Sequence, residues 1–165
     1  YARSRQVEGL DDPVRPRRAR CRSCLVTHVL LPVTMLLRRA YAAEQIWMAL
    51  SARARGIGHR RIAIDLMVPA ATVRGWLRRA VGRLESMRTW FLGVAVRTGI
   101  EVMIPDGFGC PWRDVVAAVG AAAAAIGQRF GSTGLLGAVT AAQVTVAVSR
   151  GRLLAPGWPP PTRGV

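Results

Sequence analysis

A mainly α-helical fold is what this sequence predicts: a core of three helices, a short β segment before it and an Ala-rich helical region after it. Three observations point there. Apolar residues recur every three or four positions from residue 42 to residue 88, as on one face of a helix. Residues 1–31 lack that period and hold short β-capable runs around a C-x-x-C. Residues 112–130 are rich in alanine, the strongest helix former.

In chain order, Glu8-Gly9-Leu10-Asp11-Asp12 reads as a turn between short strands holding Gln6-Val7 and Pro13-Val14. Residues 26–31 form a third strand, which Pro32 breaks. In 42–55 (AAEQIWMALSARAR), Ile46, Trp47 and Leu50 share one side of a helix. Arg53 and Arg55 lie near its C-terminus, where cations complement the helix dipole. Gly56-Ile57-Gly58 ends it. A second helix covers 59–67. A long third helix covers 69–88, with Val73, Trp76, Leu77, Ala80, Leu84 and Met87 at helical spacing, and 89–96 extends it. Residues 105–111 are a loop by composition, 112–130 an Ala-rich helix, and 131–134 a break. Residues 135–149 are a last helix, with strand as the alternative at Val144-Thr145-Val146. The Pro-rich tail, 156–165, is expected to be disordered.

The densest signal is 60–77, RRIAIDLMVPAATVRGWL. Ile62, Ala63 and Leu66 line one face of a short helix, Val68 sits in a turn, and Val73, Trp76 and Leu77 line the next helix. Ala63 is small enough for two helix backbones to approach. Pro69 suits a helix start, where a missing N–H removes nothing. The second of these helices turns Arg74, Arg78 and Arg79 away from its apolar side. A buried face backed by a cationic one is what a helix reading the DNA major groove requires, so the stretch reads as a helix-turn-helix. Two amphipathic helices around a proline are the plain alternative. The residue after the first helix is usually glycine, because a left-handed backbone is needed there; here it is Met67, so a looser turn or a different helix end is expected.

The charge supports the same reading. The chain has 24 basic and 9 acidic residues, every basic one an arginine. Residues 1–90 carry 18 Arg against 6 acids, and 91–165 carry 6 Arg against 3. The excess therefore lies in the half that holds the motif, as expected for a polyanionic partner. The chain begins at Tyr1 and reads as a fragment or a processed form. Signal-peptide patterning is missing, and no apolar run reaches the roughly 18 residues of a membrane span. Scattered acids, with Asp11-Asp12 the one adjacent pair, argue against metal-dependent strand transfer. No Ser/His/Asp or Cys/His constellation and no phosphate loop is recognisable, so an enzyme is not expected.

Cys21-Arg22-Ser23-Cys24 has zinc-knuckle spacing, since two thiolates two residues apart can share a tetrahedral ion. It is half a site. His28 would be a third ligand, but it lies in an apolar strand-like run, the setting of a non-ligand histidine. Cys110 is far away in a loop.

RRARCRSCLVTHVLLP, then RRAYAAE, then GHRRIAIDLMVPAATVRGWLRR, with a later GRLLAP, resembles a family of uncharacterised proteins from GC-rich bacteria. That family joins a zinc-ribbon-like segment to a helix-turn-helix, as transposase-associated proteins do. The resemblance covers most of the chain from Arg17 onward and is most specific at residues 57–79. The chain is accordingly divided into a partial zinc-ribbon-like segment at 1–34, a helix-turn-helix domain at 38–90, a C-terminal helical region at 91–155 and a disordered tail at 156–165. The resemblance also implies zinc on a ribbon whose upstream cysteine pair this chain lacks.

The expected function is sequence-specific binding of double-stranded DNA, as a regulator or a mobile-element-associated protein in the cytoplasm at the nucleoid. Ala70, Ala71, Arg74, Gly75 and Arg78 would face the major groove, with Arg74 or Arg78 as guanine reader. His59, Arg60, Arg61, Thr72 and Arg79 would contact phosphates, and Arg38, Arg39 and the arm 15–22 would add backbone or minor-groove contacts. Trp47 and Trp76 are read as core. The Ala-rich helices would pair two copies into a homodimer or bind a partner. The competing class is a protein-interaction module without DNA affinity.

Overall fold

The computed structural model describes residues 4–99, 101–134 and 137–160. The protein is mainly helical, with a small two-stranded sheet near its N-terminus. Strands β1 (Arg17–Arg20) and β2 (Thr27–Leu30) pair antiparallel, Arg17 opposite Leu30 and Arg20 opposite Thr27. Helices follow at α1 (Ala43–Ala54), α2 (His59–Asp65), α3 (Ala70–Val81), α4 (Leu84–Arg97) and α5 (Pro111–Phe130). A two-residue pair, β3 (Thr133–Gly134) and β4 (Gly137–Ala138), precedes α6 (Ala141–Ser149).

The expected spacing becomes the core. Ile46 and Leu50 of α1, Ile62 and Ala63 of α2, and Val73, Trp76 and Ala80 of α3 are buried together. Trp76 meets the Tyr41 ring edge-on at a centroid distance of 5.2 Å. The same core continues through Phe91 of α4, Val119 and Ala122 of α5 and Val146 of α6. The expected boundary between 38–90 and 91–155 is therefore not a division of the core: the two regions share one interior.

Three helices end alike. After α1, Gly56 takes φ +89°, its N–H bonding to the Arg53 carbonyl and that of Ile57 to Ala52. After α2, Met67 takes φ +53°, its N–H bonding to Ile64 and that of Val68 to Ala63. After α6, Arg150 takes φ +52° and repeats the pattern with Gly151. Each is a Schellman stop, with a left-handed residue that turns the chain and satisfies the last carbonyls. Methionine in place of glycine pointed to a looser turn or a different helix end after α2; the left-handed stop is made nonetheless, by Met67. Val68, just beyond it, is buried and anchors the turn.

Three expectations are corrected. The long helix over 69–88 is two helices, broken at Gly82 and Arg83, where Arg83 (φ −135°) leaves helical geometry. Leu84 and Met87 stay buried across the break, so the apolar spacing conceals it. The last helix is shorter than expected, with β4 occupying its start; residues 135–136 lie outside the described residues. The tail is ordered through 160: Trp158 is 5 % exposed and packs on Phe91 and Trp90, with ring centroids 6.0 and 6.3 Å away. Residues 161–165 of that expected tail lie outside the described residues. Val7 is fully buried with Met35 and Ala42, Glu8 bridges to Tyr41, and only the β1–β2 hairpin stands clear.

The Ala-rich helix begins with Pro111 in its first turn, and the Asp114 carboxylate accepts the Phe108 N–H at 2.6 Å. Its small side chains are used inside the chain. Ala118, Val119 and Ala122 join the main core, and Ala121 and Ala125 pack against Ala95 of α4. Among the described residues, no helix is long and apolar enough to cross a membrane.

Candidate functional site

Because Val73, Trp76 and Ala80 point inward, α3 must turn the remaining residues out. Ala70, Ala71, Arg74, Arg78 and Arg79 are exposed. Each side of the helix borders a shallow cleft. On one side, a cleft of about 400 Å³ lies between α3 and the segment before α1, lined by Arg38, Arg39, Tyr41, Thr72, Arg78 and Arg79. Ala71 and Gly75 form part of its floor. On the other side, a cleft of about 420 Å³ gathers Arg53, His59, Arg74, Arg78 and Trp112. No acidic side chain lines either one.

The first cleft is held from behind by residues 151–158. Arg39 donates from Nη2 to the Leu154 carbonyl at 2.9 Å. Arg83 donates from Nη1 to the Trp158 carbonyl at 2.6 Å and to the Ala155 carbonyl, and folds back onto the Arg79 carbonyl. Carbonyls rather than carboxylates receive these cations, so their charge is not neutralised. Burial, and then the charges of Arg79 and Arg83, pull the Arg39 guanidinium below the ordinary arginine range. Its Nε is buried without a hydrogen-bond partner.

Among the described residues, the ion pairs are Arg61–Asp65 (3.0 Å) and Arg88–Glu85 (3.1 Å). The first engages one expected phosphate contact: Arg61 turns to its own helix. Arg60 is exposed on α2 and lines neither cleft. The expected residues His59, Arg74 and Arg78 are brought together, as are Ala71, Thr72, Gly75, Arg78 and Arg79. Gly75 leaves room for Arg79 to lie along the helix, since a Cβ there would fall 2.9 Å from Arg79 Nη1. Sequence reasoning missed Arg53 and Trp112, which reach the α3 surface from α1 and α5, and the 151–158 strap. Only tertiary packing places them.

The cysteine pair sits at the hairpin turn. Leu25 takes φ +57°, the Cys21 N–H bonds to the Val26 carbonyl and the Leu25 N–H to the Cys21 carbonyl. The Cys24 backbone N–H, then the Ser23 hydroxyl, hold the Cys21 thiol down to about 6. Cys24 Sγ lies 4.0 Å from His28 Nε2. A structural zinc takes four ligands. Among the described residues, no group of three or more His, Cys, Asp or Glu side chains is placed to hold an ion.

Comparison with protein-family models, with curated proteins and with solved structures finds no match.

Proposed function

We propose that the protein binds double-stranded DNA by laying α3 in the major groove, acting as a sequence-specific regulator or a mobile-element-associated protein. One observation carries the reading: α3 presents Arg74 and Arg78 between two arginine-lined clefts that contain no carboxylate. Arg74 and Arg78 lie four residues apart, one helical turn, and so project from the same side of α3. A guanidinium there matches the paired acceptors of guanine, N7 and O6. Exposed Ala70 and Ala71, near the helix start, let the backbone approach bases closely. Arg38, Arg39 and Arg79 on one flank, and Arg53 and His59 on the other, suit the phosphates of the two strands that wall the groove.

The test is fluorescence anisotropy on a random duplex pool, comparing the native chain with Arg74→Ala/Arg78→Ala. Native binding with at least tenfold loss in the double variant is the expected result, since each bidentate base contact is worth about 1–3 kcal/mol. Equal binding by both proteins would move the interface away from α3. No DNA binding, together with salt-insensitive capture of a protein partner, would favour an interaction module instead.

A further inference from the structure

The β1–β2 hairpin is an anomaly in this fold. All eight of its strand residues are exposed, on both faces, including Val29 (55 %) and Leu30 (51 %). A lone two-stranded hairpin is marginally stable in water, and among the described residues its ladder has no third strand. Its charge is one-signed. Arg15, Arg17, Arg18, Arg20 and Arg22 fall within eight residues, and no acid occurs between Asp12 and Glu44. None of these arginines is in an ion pair among the described residues.

The register distributes the cations. Arg18 (opposite Val29) and Arg20 (opposite Thr27) share one face, because alternate residues of a strand point the same way. Arg17 (opposite Leu30) lies on the other face with Ala19. A flat acidic surface or a lipid headgroup layer would meet one face only and leave the other cations unused. A duplex groove has a phosphate strand on either side and admits a two-stranded β-ribbon.

The root of the hairpin is tied to the α3 clefts through direct contacts. Leu31 packs so closely on Gly151 that a Cβ there would fall 2.6 Å from Leu31 Cδ2. The Gly151 carbonyl accepts the Leu37 N–H at 2.7 Å. Three residues on, the Leu154 carbonyl holds Arg39, which lines the cleft beside Arg79. The ribbon is thus anchored next to the basic side of α3.

We propose that the β1–β2 hairpin is a second DNA-contacting element, a cationic ribbon that enters a groove of the same duplex engaged by α3, with Arg17, Arg18 and Arg20 on phosphates. This rests on the DNA-binding reading above and assigns the hairpin a separate share of the contacts. Each phosphate contact contributes about 0.9 to the slope of log K against log salt.

The experiment compares that slope on one random-sequence duplex for three proteins: native, Arg17→Ala/Arg18→Ala/Arg20→Ala and Arg74→Ala/Arg78→Ala. The hairpin variant is expected to bind with a slope shallower by about 2.7. An unchanged slope in the hairpin variant, with weakened binding in the α3 variant, overturns the hairpin proposal and leaves the DNA reading standing. No salt-dependent binding by the native chain overturns both. A second measurement needs no variant: iodoacetamide alkylation of Cys21, at the hairpin turn, is followed by mass spectrometry with and without duplex. The ribbon model expects alkylation to slow several-fold when DNA is bound, and an unchanged rate at saturating duplex refutes it.

Discussion

Replacing Met67 with glycine is expected to stabilise the protein. Met67 holds φ +53° at the stop of α2, and its side chain is 93 % exposed, so it contributes strain without compensating burial. A left-handed backbone costs a side-chain-bearing residue about 1–2 kcal/mol. Glycine removes that cost but loses more freedom on folding, which takes back about 0.4–1 kcal/mol. The net gain is about 0.5–1 kcal/mol, or roughly 1–4 °C in Tm for a chain of this size. Met67→Ala is the control. It keeps the strain and removes only exposed surface, so it stays within about 0.5 kcal/mol of the native chain. Urea denaturation followed by tryptophan fluorescence reads both variants. Should glycine stabilise no more than alanine does, Met67 is not strained and the assignment of the turn is wrong.

Three further outcomes follow from the packing and electrostatics. Trp158→Ala empties a core position against Phe91 and Trp90 and should cost about 3–5 kcal/mol in urea denaturation; a loss under about 1 kcal/mol would mean the 151–158 strap is not part of the core. Thr140→Ala removes the side-chain acceptor at 3.2 Å from the Gln143 N–H and breaks the reciprocal cap of α6, which should lower stability by about 1 kcal/mol; no change would dissolve that cap. The Cys21 thiol, lowered to about 6, should be mostly thiolate above that pH and lose reactivity as pH falls through it. A pH profile of its alkylation with a midpoint near the ordinary cysteine value of about 8.5 would show that the Cys24 and Ser23 hydrogen bonds are not made in solution.

The helices were legible where burial follows local spacing. Ile46 and Leu50, or Val73, Trp76 and Ala80, repeat at helical intervals, and the structure buries them on one side. The stop after α2 was legible only in part: methionine at 67 argued for a looser turn, because a left-handed backbone favours glycine, yet Met67 takes φ +53°. The break at Gly82 was hidden, since Leu84 and Met87 resume the same spacing beyond it. Proline content argues only about local backbone, so it could not reveal that Trp158 fills the space beside Phe91 and Trp90. The site was half legible for the same reason. That Arg74, Arg78 and Arg79 leave the apolar side of α3 is a matter of period. That Arg39 joins Arg79 across one cleft, and Arg53 joins Arg74 across the other, is a matter of tertiary packing.

The central claim is met most directly by measuring native-chain affinity for a 20-base-pair duplex at about 50 mM and about 200 mM salt. Arginines lining two clefts and a hairpin should make at least six phosphate contacts, so affinity is predicted to fall by about 10³-fold or more between the two conditions. Undetectable binding at the lower salt, or an affinity that does not change with salt, would contradict it.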